Sequence, residues 1–306
     1  MPQRGCSPAC ANVSQARPDA MDFLITTLLN ALTLISILML VGLGLAISFG
    51  LMNVTNLAHG EFVTVGAFAV YFVQSMGGSF WLGLAAAPIA GAVVGCILEF
   101  AIIRHLYSRP VSTVLATWGV SLILQQGLEL TFGLGAKPVT PPIEGTLDLV
   151  FTVYPAYRLI LIGIAMLTLL GVILLISRTP FGLDIRTVIQ NREMAEGVGI
   201  NTRRTYAIAF TFGAAIAGLA GGLVAPLAIV LPQMGVNYLA NAFFVVIVGG
   251  VGSIWGTLIG GLIIAVLSNG LILAGVSDIW QYIIKGLVII VAVALDRYRL
   301  QAGART

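Results

Sequence analysis

The sequence is poor in charge. Of its 306 residues only 9% are Asp, Glu, Lys or Arg, where about 25% is usual for a soluble domain. It has two histidines, His59 and His105, two lysines, Lys137 and Lys285, and three cysteines, Cys6, Cys10 and Cys96. Each scarcity excludes something. So few charges cannot cover the surface of a water-soluble globule this long, which argues against a soluble enzyme, a disordered chain and a nucleic-acid partner. Two distant histidines and no HExxH motif give no metal centre, and three scattered cysteines give neither a disulfide framework nor a metal site. A P-loop needs Gly-Lys-Ser/Thr, but Lys137 follows Ala136 and Lys285 follows Ile284, so the chain cannot hold ATP through that motif. Gly252-Ser253 lacks the flanking pattern of a nucleophile elbow. No catalytic residue and no cofactor is expected.

What the chain has instead is apolar length. Hydrophobic residues make up 58%, with 36 glycines besides. Between Asp22 and Glu61 lie 38 uncharged residues, between Glu61 and Glu99 another 37, and 205–277 is a run of 73. A helix needs about 20 apolar residues to cross the hydrocarbon core, whereas a β-barrel strand would show about 10 residues of alternating polarity, which are absent here. The expected fold is all-α, a polytopic transmembrane bundle. Charge gaps and Gly/Pro punctuation mark spans at 24–50, 62–74, 80–103, 111–132, 159–176, 206–231, 238–251, 254–274 and 279–295. The second and seventh are short enough to be re-entrant, so eight or nine crossings are expected, some of them broken.

Arginine sets the orientation. Arg104 and Arg109, then Arg178, Arg186, Arg192, Arg203 and Arg204, then Arg297, Arg299 and Arg305 mark three cytoplasmic stretches, the C-terminus among them, and leave 133–158 outside. Residues 1–20 read as a disordered polar leader without the apolar core of a signal peptide, and Met21 is a candidate true start. The single transmembrane domain then covers 21–306.

Three stretches depart from plain membrane helix. In Asn53-Val54-Thr55-Asn56-Leu57-Ala58-His59-Gly60-Glu61, an ionisable group at the bilayer centre would cost about 2.5–3.5 kcal/mol, so His59 and Glu61 should face protein or water. The stretch fits a proton relay, a solute-binding cluster, the scaffold of a broken helix, or a solvated turn joining two spans. The loop 177–205 holds eight of the 27 charges. Thr179-Pro180 supplies a helix start, Ile185, Val188, Ile189 and Ala195 a partial apolar face, and Gly197 and Gly199 stop signals. Asn201 caps the following span. The expected element is one short amphipathic helix on the cytoplasmic surface, and its mixed charge suits docking to a protein better than resting on lipid. The third stretch carries Gly249, Gly250, Gly252, Gly256 and Gly260, a flexible break between crossings followed by a GxxxG spacing that favours close helix packing.

Taken together, these stretches resemble a known family. Phe49-Gly50, Asn56 to Glu61 and Gly66-Ala67, then Gly182-Leu183, Arg186, Asn191, Ala195 and Gly199-Ile200-Asn201, then 249–261, are similar to the LivH-type permeases of ATP-binding cassette importers for branched-chain amino acids and urea. The run from Leu115 to Leu122, with Gln125-Gln126 and Gln190 to Ala195, looks closer to the urea-type subunit. The resemblance implies a permease without catalytic activity in the bacterial inner membrane, working with a second homologous permease, two cytoplasmic ATP-binding subunits and a periplasmic or lipid-anchored solute-binding protein. It implies that Gly182, Arg186, Asn191, Ala195, Gly199 and Ile200 shape the ATPase-coupling contact. It also implies that Asn53, Asn56, His59 and Glu61 lie near the path or hold its broken helix. Gln125, Gln126 and Glu129 form a second polar face, either path lining or the outer end of their span. A self-sufficient carrier or channel, with His59 and Glu61 as its ion site, is the competing reading.

Overall fold

The computed structural model describes residues 20–303 apart from 53–54, 107–108, 150–151 and 251–252. The expected leader, its Cys6 and Cys10, and the candidate site residues Asn53 and Gly252 therefore lie outside the described residues. Cys96 is a free, exposed thiol on the third helix.

Helices form at all nine apolar segments. They are α1 (Ala20–Met52), α2 (His59–Ser75), α3 (Phe80–Ala101), α4 (Pro110–Phe132), α5 (Ala156–Arg178), α8 (Thr202–Val224), α9 (Met234–Gly249), α10 (Ile254–Leu273) and α11 (Asp278–Gly303), with α6 (Pro180–Gln190) and α7 (Arg192–Gly197) between α5 and α8. Among the described residues six helices are long and apolar enough to cross a membrane, and Met234–Gly249 and Ile279–Val291 add two shorter apolar helices. The sequence marks their starts with caps. Ser79, Thr179, Asn191, Asn201 and Ser253 each accept a hydrogen bond from a backbone N–H in the first turn of α3, α6, α7, α8 and α10, which satisfies donors a helix leaves open there.

The structure corrects four sequence expectations. The second span begins at His59 and not at 62, so His59, Gly60 and Glu61 form a helical first turn. The sixth ends at Val224, seven residues early, because 225–233 turns back and pairs Val230 with Lys137 through a 3.1 Å backbone hydrogen bond. The single amphipathic helix is two helices, broken where Asn191 leaves helical geometry and caps α7 through Met194 N–H at 3.0 Å. Finally, 133–158 holds an antiparallel hairpin, β1 (Thr146–Leu149) with β2 (Thr152–Pro155). Tyr154 of β2 reaches Thr33 of α1 at 3.0 Å, which fixes the hairpin end of the bundle opposite the α6/α7 end.

α8 runs through the centre, packed on α1, α2 and α3, and α9 and α10 pack on α1. Glycine makes these approaches. A Cβ on Gly44 would sit 2.6 Å from the Gly213 carbonyl oxygen, and one on Gly218 2.6 Å from that of Ala87. One on Gly66 or Gly221 would collide with the backbone of Gly218 or Val63. Small residues let helices meet backbone to backbone where apolar burial alone drives nothing in lipid. The third glycine stretch does the same: Gly249 and Gly256 press on each other's carbonyls and Gly260 on that of Val245, while Gly250, at φ +90°, makes the turn. On either side of the expected break, α9 and α10 pack closely on each other.

Candidate functional site

The polar stretch before and within α2 is buried. Asn56, His59 and Glu61 are each at most 2% exposed, which sets aside the solvated turn. Asn56 Oδ1 accepts from Ala58 N–H at 3.0 Å, a local turn that positions the start of α2. Leu57 N–H donates to Thr117 Oγ1 of α4 at 3.1 Å. His59 Nε2 lies 3.2 Å from the Val41 carbonyl in the middle of α1, so that nitrogen carries the proton. Its ring meets Phe62 edge-on at 5.8 Å.

Glu61 is the hub. Gln125 Nε2 donates to its Oε1 at 2.7 Å, Ser121 Oγ to the same oxygen at 2.8 Å, and Thr64 Oγ1 to Oε2 at 3.3 Å. Thr64 Oγ1 also accepts from Gly235 N–H of α9 at 3.0 Å. The carboxylate thus joins α2, α4 and, through Thr64, α9. Hydrogen bonds to a charged acceptor are about twice as strong as neutral ones, and this arrangement lets a carboxylate persist away from water.

The structure separates the two glutamines. Successive helical residues point about 100° apart, so while Gln125 turns to Glu61, Gln126 is exposed and donates to Glu129 at 2.7 Å. They are not one polar face. Gln125 also lines a groove of about 710 Å3 with Leu231, Gln233, Met234, Asn237 and Asn241. Behind the lining residue Asn241, Lys285 of α11, only 6% exposed, donates to Asn241 Oδ1 at 3.3 Å. Glu61 and Lys285, groups of opposite formal charge, thus each stand one amide side chain back from the groove, behind Gln125 and Asn241.

The α6/α7 residues also divide. Gly182 is buried against the backbone of Ile176, and Ala195 is fully buried. Both hold the segment to the bundle. Arg186 Nε donates to the Gly182 carbonyl at 3.2 Å. Gly199, at φ +89°, ends α7 while Ile200 N–H donates to the Ala195 carbonyl at 3.0 Å, a left-handed helix stop. Facing outward instead are Leu183, Met194 and Val198, at 58%, 69% and 74% exposure. Glu196 accepts from Thr202 Oγ1 at 2.7 Å and Arg192 Nε at 3.1 Å, and these two hold its pKa below the ordinary glutamate value.

Comparison with known proteins agrees with this architecture. Residues 27–293 match the family described as branched-chain amino acid transport system / permease component. The chain belongs to this family. Among relatives of this permease, a probable branched-chain amino acid transport permease protein LivH of Methanocaldococcus jannaschii is 29% identical over 76% of each chain. The high-affinity branched-chain amino acid transport system permease protein LivH of Salmonella typhimurium is 28% identical over 80% of this permease and 84% of the relative. The corresponding LivM of Escherichia coli is 27% identical over 76% of this permease and 61% of its own length. No solved structure gives a significant match.

Sequence reasoning missed Ser121, Thr64, Asn241 and Lys285 as members of this permease's polar interior. For Lys285 a signal existed, since an ionisable residue inside an apolar helix marks function by default. For Ser121 and Thr64 there was none, because a hydroxyl in a membrane helix ordinarily bonds to its own backbone.

Proposed function

We propose that this permease is the membrane-spanning subunit of an ATP-driven importer that carries a small polar solute across a bacterial inner membrane. Its solute is a branched-chain amino acid. The observation that carries this is the groove lined by Gln125 and Asn241, with Glu61 behind the first and Lys285 behind the second. A zwitterion needs one partner of each sign, and its aliphatic side chain needs apolar surface, which Leu231, Met234 and Ile229 supply. The relatives' names point the same way. Urea or a short amide is the second reading, favoured by the amide side chains of Gln125, Gln233, Asn237 and Asn241, which offer neutral donors and acceptors.

Orientation and partners follow. Arg104, from one loop, shares a pocket with Arg192, Arg203 and Arg204 from another, which supports an arginine-rich cytoplasmic end with the C-terminus on the same side. One of the two ATP-binding subunits then docks on the face of Leu183, Met194 and Val198, with Arg186 and Asn191 beside it, and the other on the partner permease. A second permease of the LivM kind completes the path, and a periplasmic or lipid-anchored binding protein delivers solute at the hairpin end.

The test is reconstitution into proteoliposomes. Uptake of labelled leucine should require both permeases, the ATPase subunits, the binding protein and ATP, with leucine competing far better than urea. Preferential competition by urea would select the second reading. Uptake by the purified permease alone would overturn the proposal and leave a self-sufficient carrier with His59 and Glu61 as its ion site.

A further inference from the structure

The arginine pocket that marks the orientation above is a second cavity, remote from the solute groove, and the solute path does not use it. About 690 Å3 in volume, it opens between the end of α3 and the start of α8. Arg104 and His105, just past α3, form one wall, and Arg192 of α7 with Arg203 and Arg204 of α8 form the other. All five are exposed. The Arg104 guanidinium lies 3.9 Å from the centroid of the Phe100 ring, and its Nε donates to His105 Nε2 at 3.4 Å. Two acidic groups belong to the surroundings, Glu99, which lines the pocket but is 5% exposed, and Glu196, paired with Arg192. Four guanidinium groups against two carboxylates leave the pocket cationic.

A second observation indicates what occupies it. From Phe100 an exposed apolar stripe runs up α3 through Ile97, Val93 and Ile89, all between 52% and 63% exposed, at the three- and four-residue spacing of one helix face. The stripe and the arginines are continuous, with Phe100 shared by both. We propose that the pocket binds the phosphate headgroup of an anionic phospholipid, whose acyl chain lies along Ile89, Val93, Ile97 and Phe100. Arginine's planar fork matches phosphate oxygens in pairs, and basic pockets between membrane helices take anionic headgroups. A soluble phosphate would use the arginines and leave the stripe idle. Because Arg192 opens α7, the bound headgroup also ties the coupling segment to α3.

Native mass spectrometry of the full-length permease in detergent tests this, using phosphatidylglycerol, phosphatidylcholine and inorganic phosphate as probes. Phosphatidylglycerol should be retained at least about tenfold better than phosphatidylcholine, with inorganic phosphate unable to displace it. Arg104→Gln/Arg203→Gln/Arg204→Gln should bring the two lipids to parity, while Lys137→Gln at the opposite end changes nothing. Wild-type protein provides a check that needs no variant to fold: spin-labelled phosphatidylglycerol should show a larger immobilised fraction than spin-labelled phosphatidylcholine, and the excess should shrink with salt. Equal retention of both lipids, displacement by inorganic phosphate, or an unchanged preference in the folded triple variant would overturn the assignment. So would loss of assembly with a partner permease in that variant with lipid preference intact, which would make the face a subunit contact.

Discussion

The helices at the centre of the permease and those at its edge are held by different forces. In the most apolar windows of α1 and α8, 78% and 67% of residues are buried, against 28% in α4 and α5. The glycines tell the same story. Gly44, Gly66, Gly213, Gly218 and Gly221 sit against neighbouring backbone, whereas Gly119 and Gly127 of α4 and Gly163 and Gly171 of α5 meet nothing within 4 Å of a Cβ position. Yet α4 contributes Ser121 and Gln125, two of the three donors to Glu61. The site thus spans the boundary, its acceptor and Thr64 on a helix locked by backbone packing and its other two donors on a helix held by polar bonds and the Phe132 ring. Alternating access requires a path that changes sides, and α4 can move at the cost of a few hydrogen bonds and of the Phe132 ring contacts with Phe68, Tyr71 and Phe72, without parting the glycine-packed helices.

The sharpest break of this comparison is steric. Gly66→Val places a branched side chain into the backbone of Gly218, where overpacking costs about 1–3 kcal/mol or more and rigid backbone cannot yield. Gly119→Val meets open space. We expect little or no folded, monodisperse Gly66→Val protein in detergent and a near-normal yield of Gly119→Val. Equal yields would remove the distinction between centre and edge.

Next is the boundary itself. Glu61→Ala leaves the buried Ser121 hydroxyl without its carboxylate acceptor, at about 1–3 kcal/mol, and leaves the half-buried Gln125 amide with Ser121 Oγ, at 3.0 Å, in place of the carboxylate. In the assembled transporter, solute uptake should fall about a hundredfold, equivalent to about 2.7 kcal/mol. Glu61→Gln should lose less, because its carbonyl still accepts. Gln126→Ala should be silent, since Gln126 bonds only Glu129 on the exposed face. If Gln126→Ala and Gln125→Ala reduce uptake alike, the hub is misplaced.

This contrast also shows what the sequence could disclose. Spans, caps and the two charged clusters were legible because each is local: a charge gap, a Thr-Pro or an Asn at a fixed offset from an apolar run. The break at Asn191 was hidden by the continuous apolar face on either side of it. The β1–β2 hairpin was hidden by its length of four residues per strand. The centre–edge distinction was illegible throughout, since Gly66 and Gly119 differ only in what a distant helix places opposite them. Glu61 was a candidate from its charge alone, but its choice of Gln125 over Gln126 depends on the rotation of α4, which local pattern does not set.

The α6/α7 segment, proposed above as the coupling contact, sharpens the comparison at the arginine-rich end, because α6 is fixed by Gly182 packing and α7 chiefly by polar caps. Gly199→Val puts a branched residue at φ +89°, costing about 1–2 kcal/mol of strain with no neighbour to clash against. Arg186→Glu reverses charge beside the proposed docking face. Both variants should insert normally, hydrolyse ATP in the complex and import several-fold less solute per ATP. Unchanged transport in both would show that the segment is not the coupling contact.

The smallest effect expected is electrostatic and belongs to α7. Hydrogen bonds from Thr202 and Arg192 hold the Glu196 pKa below its ordinary value. A carboxyl whose pKa is depressed on folding adds stability above its unfolded pKa, about 4.3 for Glu, and loses it as pH falls through the lower folded value. The link from α7 to the start of α8 should therefore hold from neutral pH to about pH 4 and weaken below it. Exposure and salt keep the effect small. Hydrogen exchange at the backbone amides of 192–197, corrected for intrinsic rates, should rise modestly on going from pH 6 to 3.5 and rise less in 2 M salt comparisons. Glu196→Gln should show the acid-side protection at every pH, because its amide oxygen still accepts from Thr202 but carries no charge to lose. An equal pH response in the variant would assign the weakening to another group and leave α7 held by the Asn191 cap and the buried Ala195 alone.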